Sequence, residues 1–287
     1  PLAQALVHDV ERSEGERRAA AARELAGVCE QLGDPAAAAS AWRAVLESTT
    51  EPQRDSQTIL SWLTRCQEAG VVLPADQLEA LRVLMLGPGG IGELLTQLQA
   101  QAEAARIKGR FGTRAVELMK EGAQVLALLG DTAEATARWL RIVAVAPADR
   151  QAMLQARLAL RGLCEAGKAP LAVRLCEVEL HRLGPAAADN PGLRTLQAEL
   201  LVLQGQKDDA IGQLEVVLLR FPMNGLVHAL LGALLAQAEP PSERERGLPH
   251  LLTAAYAKDV EPLDAGECAL LAAELLLEGM ASDTDQD

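Results

Sequence analysis

The chain has 287 residues (30.4 kDa), enough to bury a sizeable core as one or two domains or as an elongated repeat array. Hydrophobic residues make up 49% but aromatics only 2%, so the apolar content is nearly all Ala, Leu and Val, a composition that favours helices over strands. Against 40 Asp+Glu stand only 27 Lys+Arg, a net charge of −13 that excludes non-specific binding to nucleic acid or to an anionic membrane, since both need a basic face.

No stretch approaches the ~18 uninterrupted apolar residues of a membrane span, so membrane insertion is not expected. The cysteines, Cys29, Cys66, Cys164, Cys176 and Cys268, are odd in number and scattered among Leu, Val and Ala. They are expected to be free, buried thiols in a reducing, cytoplasmic setting. Pro1 in place of an initiator Met points to a longer parent chain, with the sensor or assembly part of a regulatory or secretion protein as one such setting.

In chain order, apolar residues at i, i+3, i+4 and i+7 predict helices over 11–32, 35–48, 54–69, 75–86, 91–108, 112–129, 132–145, 148–166, 169–183, 192–204, 207–220, 224–237, 247–258 and 263–279. No segment alternates with period two, so the fold class is all-α. The last helix is expected to cap the array, and the acidic residues 282–287 to form a disordered tail.

The punctuation between helices is periodic. Gly33 to Gly70 is 37 residues, Gly130 to Gly167 is 37 and Gly167 to Gly205 is 38. Five residues after each glycine stand Ala38, Ala75, Ala135, Ala172 and Ala210. Nine after stand the bulky Trp42, Trp139, Cys176 and Leu214, with Glu79 the exception. Four before stand Cys29, Cys66, Leu126, Leu163 and Leu201. Each position has a mechanical reading: glycine ends the first helix in a left-handed conformation, alanine lets two antiparallel helices approach, and the bulky residue fills the space between pairs.

This pattern resembles the tetratricopeptide repeat, most clearly over residues 198–224 with Gly205, Ala210, Leu214, Leu218 and Pro222, and over 125–147. The copies are 37–38 residues rather than the family's usual length of about 34, and the step from Gly70 to Gly130 is 60, which leaves room for one extra helix assigned to 91–108. The resemblance implies a right-handed solenoid of about five helix pairs, divided near Gly109 into halves 1–108 and 109–281. It implies a non-catalytic protein-interaction scaffold that takes a peptide or helix in its concave groove. First helices line that groove, which selects Arg23, Lys120, Gln124, Leu154, Arg157, Arg161, Thr195, Leu196 and Glu199 as partner-binding residues. Arg157 and Arg161, one turn apart, are expected to select acidic features of the partner. The Lys/Asn set by which chaperone-binding members hold a C-terminal carboxylate is not matched. Trp62 has no place in the repeat and is the aromatic expected at a surface contact.

A competing motif is Gly87, Gly89 and Gly92 in RVLMLGPGGIGEL, a G-x-G-x-x-G after an apolar run, as in a dinucleotide-binding unit for NAD or FAD. The strand that should follow within about 20 residues is replaced by TQLQAQAEAARIKGRFGTR, so the glycines read as an interhelix turn and no cofactor is expected. His8, His181, His228 and His250 are dispersed, and no metal or nucleophile motif is present.

Overall fold

The structure, a computed structural model, describes residues 2–87, 90–93, 95–97, 100–101, 113–239, 241–258, 260 and 262–284. Among them there is no strand. The helices are α1 (Leu2–Arg12), α2 (Gly15–Leu32), α3 (Pro35–Ser48), α4 (Pro52–Glu68), α5 (Ala75–Leu86), α6 (Thr113–Leu128), α7 (Thr132–Val145), α8 (Arg150–Glu165), α9 (Ala169–Leu183), α10 (Pro191–Leu203), α11 (Lys207–Arg220), α12 (Gly225–Ala236), α13 (Pro241–Ala255) and α14 (Pro262–Thr284), with a short 3-10 helix at Gly184–Asp189. The architecture is all-α, of consecutive helices packed on one another in pairs.

The five repeat glycines carry this architecture. Gly33, Gly70, Gly130, Gly167 and Gly205 all have φ between 68° and 79°, a region that a side chain makes costly. At each, the following amide closes a loop onto the carbonyl four residues before the glycine: Asp34 onto Cys29, Val71 onto Cys66, Asp131 onto Leu126, Lys168 onto Leu163 and Gln206 onto Leu201, all at 2.8–3.0 Å. This is the Schellman ending, and it explains why positions flanking the glycine recur as a set. Ala38, Ala135, Ala172 and Ala210 are buried where the second helix meets the first, and Trp42, Trp139, Cys176 and Leu214 are buried beside them.

The copy after Gly70 departs from the pattern. Ala75, Glu79 and Val83 are exposed, and α5 packs chiefly on α3 rather than on α4, because residues 71–74 run without helix and carry it away. Trp62, expected at the surface, is only 3% exposed and belongs to the core of α4. The helix expected over 11–32 begins at Gly15, and a further helix not expected from the sequence, α1, precedes it across a break at residues 13–14 and a positive φ at Gly15. Likewise α13 begins at Pro241 rather than near 247, since proline is at home in a first turn where its missing N–H has no partner to lose. At the end, α14 continues to Thr284, into residues expected to be a disordered tail; 285–287 lie outside the described residues. Of the expected helix 91–108, the described residues up to 101 are helical, and Ile91 and Leu95 are buried; 102–108 and the expected break at Gly109 lie outside.

The chain forms two compact units, Pro1–Arg138 and Trp139–Asp287, divided within α7. The core of the first joins Leu25, Ala26, Trp42, Ile59, Trp62, Leu81 and Leu126. In the second, Leu214, Val217, Leu231 and Leu235 pack between α10, α11 and α12, and Leu251, Cys268 and Ala272 dock α13 and α14 on α12. Here two glycines set the spacing: a Cβ at Gly232 would lie 2.8 Å from Leu251 Cγ and 3.0 Å from its amide, and one at Gly247 would lie 3.0 Å from the Gly232 carbonyl. Gly232→Val is therefore expected to destabilise this unit by roughly 1–3 kcal/mol through overpacking, read as a lower urea midpoint at unchanged slope.

Candidate functional site

The site is built on first helices of the second unit. Asp149 caps α8, its carboxylate accepting from the Ala152 amide at 2.9 Å. With that start fixed, helical spacing sets Ala152, Met153, Ala156, Leu160 and Leu163 into the core and leaves Arg150, Leu154, Arg157 and Arg161 along one stripe. Asn190 anchors α10 next to it: its side-chain oxygen accepts from the Leu193 amide at 2.9 Å and its NH₂ donates to the Val143 and Ala144 carbonyls at 3.2 and 3.0 Å. Asn224 caps α12 in the same way, accepting from the Val227 amide at 3.1 Å.

Between these helices lies a hollow of about 210 Å³ walled mainly by Leu160, Leu196, Leu200, Leu203, Leu230 and Leu234, with Arg157, Arg161 and Glu199 as its charged members. A second hollow of about 370 Å³ takes in Met153, Leu154, Thr195, Phe221 and Leu226, and its charged border is Arg150, Arg157, Asp149, Asp189 and, from the start of α14, Asp264. Arg157 lines both. The arrangement is a leucine-lined groove with a guanidinium between its two hollows, suited to apolar side chains flanked by a carboxylate.

The charges around that ridge are unevenly matched. Arg157 Nε lies 2.6 Å from Glu199 Oε1, yet that oxygen accepts no aligned hydrogen bond. Burial pushes the Glu199 carboxyl above its usual range, while Arg157 and Arg161 pull it back. On the other side Asp264 Oδ2 stands 3.6 Å from Arg157 Nη1, too far for a hydrogen bond. Arg150 donates to the Lys258 carbonyl. Arg161 is exposed and has no ion pair or hydrogen bond among the described residues.

Of the residues selected from sequence, the structure brings Leu154, Arg157, Arg161, Thr195, Leu196 and Glu199 to this groove, although Leu196 and Thr195 are fully buried in its floor and Thr195 donates its hydroxyl to the Pro191 carbonyl at 2.8 Å. The other three belong to the first unit. Arg23 is turned to a structural task there, holding Asp55, Glu16 and Thr49. Lys120 is buried and paired with Glu117 at 3.1 Å, whereas Gln124 is exposed. Asp264 and Arg150 were invisible to the repeat pattern, the first because it lies beyond the last copy. The dispersed histidines include one real pair: His228 Nδ1 and His250 Nδ1 are 2.8 Å apart, with His228 Nε2 at 2.9 Å from the Pro222 carbonyl.

Burial raises the thiols of Cys29, Cys66, Cys164, Cys176 and Cys268, that of Cys176 to about 12, which makes them poor nucleophiles. No cluster of three or more metal-ligating residues occurs among the described residues. Of the G-x-G-x-x-G glycines, Gly89 lies outside the described residues. A Cβ at Gly92 would meet the Leu86 carbonyl oxygen at 2.3 Å, so that glycine serves a tight interhelix turn. No described helix is long and apolar enough to cross a membrane.

No protein-family model matches the chain, and no curated protein matches it. Among solved structures, it is similar to "MamA RS-1 ArsTM double mutant" at 16% identity and a TM-score of 0.32, over 69% of this chain and 92% of that one. It is likewise similar to "MamA MSR-1 C2" at 22% identity and TM-score 0.33, over 57% of this chain and 95% of that one. A third structure, of another MamA mutant, matches at 20% identity and TM-score 0.32, over 57% of this chain and 96% of that one.

Proposed function

We propose that this chain is a non-catalytic, cytoplasmic protein-interaction scaffold whose second unit takes a peptide or helix in the groove between α8, α10 and α12. One observation carries the reading. In a chain of net charge −13, a leucine-walled groove is edged by Arg157 and Arg161, of which the second has no ion pair or hydrogen bond among the described residues. Leucine walls reward apolar side chains leaving water, and unmatched guanidinium donors reward a carboxylate beside them. The partner is therefore an amphipathic segment carrying leucine-like and acidic residues.

Arg161→Glu is the test, because Arg161 is exposed and makes no ion pair or hydrogen bond among the described residues, its pull on Glu199 being electrostatic only. Against a partner captured from native lysate by the intact chain, the variant is expected to bind about tenfold more weakly, on the order of 1.4 kcal/mol, and with a flatter salt dependence. Equal affinity and an equal salt slope would remove the groove from the reading.

A further inference from the structure

Two of the three arginines on the α8 stripe are met by the C-terminal segment. Arg150 donates to the Lys258 carbonyl, and Arg157 faces the Asp264 carboxylate. The α14 helix does not depend on the second contact for its place: Cys268 and Ala272 are buried against Leu251 and Ala254 of α13 and Ala229 of α12. Asp264, in the first turn of α14, instead stands 3.6 Å from Arg157 at the border of the second hollow. At that distance Asp264 makes no hydrogen bond to Arg157 Nη1, while Arg157 Nε is held to Glu199 Oε1 at 2.6 Å. A carboxylate free to approach from the groove docks on such a fork at about 2.8 Å with two parallel bonds.

We propose that Asp264 is an internal stand-in for a partner's acidic residue, and that the groove opens when an acidic amphipathic helix displaces it. Two carboxylates one helical turn apart in the partner replace Asp264 on Arg157 and engage Arg161, while leucines between them enter the hollow lined by Leu160, Leu196, Leu200 and Leu230. Binding then works against the intramolecular pair, so the chain discriminates against segments with a single acidic residue. This rests on the groove reading above and adds to it both the partner's charge spacing and the competitor.

The test uses the full chain and a fluorescein-labelled peptide of three Glu-Leu-Ala-Ala-Glu-Leu-Ala repeats, followed by fluorescence anisotropy. Asp264→Asn is expected to bind about two- to fivefold tighter than the parent, the range for loss of a partly exposed ion pair. Asp264→Ser, which keeps a residue suited to a helix start, should do the same, and Glu267→Gln, one turn on, should change nothing. A peptide with Lys for Glu should not bind. Unchanged affinity in both Asp264 variants, with binding still lost in Arg161→Glu, would overturn the stand-in and leave the groove. No binding by parent or variants, or self-association of the chain in sedimentation of the same samples, would overturn both.

Discussion

Arg157→Ala should destabilise the second unit more than a change of Arg150 or Arg161 on the same stripe. Removing one partner of a buried ion pair costs roughly 3–5 kcal/mol when both charges are fully desolvated. Here the side chains of Arg157 and Glu199 keep 21% and 18% exposure, so the expected loss is about 2–3 kcal/mol in urea unfolding. The cost comes from Glu199, left buried without its cation. Glu199→Gln in the same chain should therefore recover most of it, since an amide carries no charge to desolvate. The sign with pH follows. Burial already holds the Glu199 carboxyl above the ordinary 4.5, and losing Arg157 raises it further. The native state then binds protons more tightly than the unfolded chain, so the variant is relatively most stable below about pH 4.5 and loses stability as pH rises through the folded-state value. A flat pH profile in Arg157→Ala would show that Glu199 finds compensation elsewhere. Loss of partner binding on changing Arg157 is thus ambiguous, which is why Arg161 and Asp264 carry the tests of the groove.

How much of this was legible in the sequence depends on how local the cause is. The Schellman endings are local: a glycine needs φ near +70° and its neighbours' amides and carbonyls close the turn, so glycine spacing alone located five helix ends. The small and bulky positions followed from the same register. Where the register failed, a longer-range choice decided. Gly70 ends α4 as expected, but the non-helical residues 71–74 let α5 settle on α3, and Ala75 and Val83 stayed exposed. Trp62 shows the converse, buried without any repeat position to announce it. At the site, helical spacing found the arginine stripe because it lies on one helix. It did not find Asp264, which meets Arg157 only through the packing of α14 on α12 and α13. Nor did it show that Arg23 is taken by an acid on another helix, which spacing along α2 does not encode.

That acid gives the first unit an effect of similar size. Arg23 donates through Nε to Asp55 Oδ1 at 2.9 Å and through Nη2 to Oδ2 at 2.7 Å, a forked pair between α2 and the first turn of α4. Thr49 donates to the same carboxylate at 2.6 Å and accepts from Arg23 at 3.0 Å. The second arm of Arg23 holds Glu16, whose exposed carboxyl is kept down at about 2 by Arg23 and by the Thr50 amide and hydroxyl. Asp55 is only 4% exposed; burial pushes its carboxyl up, but the bonds from Arg23 and Thr49 outweigh it, and the net shift is downward. In the parent, this group stabilises the fold above about pH 3.8 and ceases to do so as pH falls through its lower folded-state value. Arg23→Ala strands the buried carboxylate, at a cost near 3 kcal/mol, toward the low end because the Arg23 side chain is 31% exposed. Arg23→Lys restores the charge without the fork and should recover only part. With the arginine gone, burial dominates and the carboxyl rises above its ordinary value, which reverses the pH sign. Thermal unfolding from about pH 3 to about pH 7 should then show the variant losing ground toward neutral pH, where the parent gains it. A parent-like profile in Arg23→Ala would mean that Thr49 and the α4 N-terminus suffice to hold Asp55 ionised.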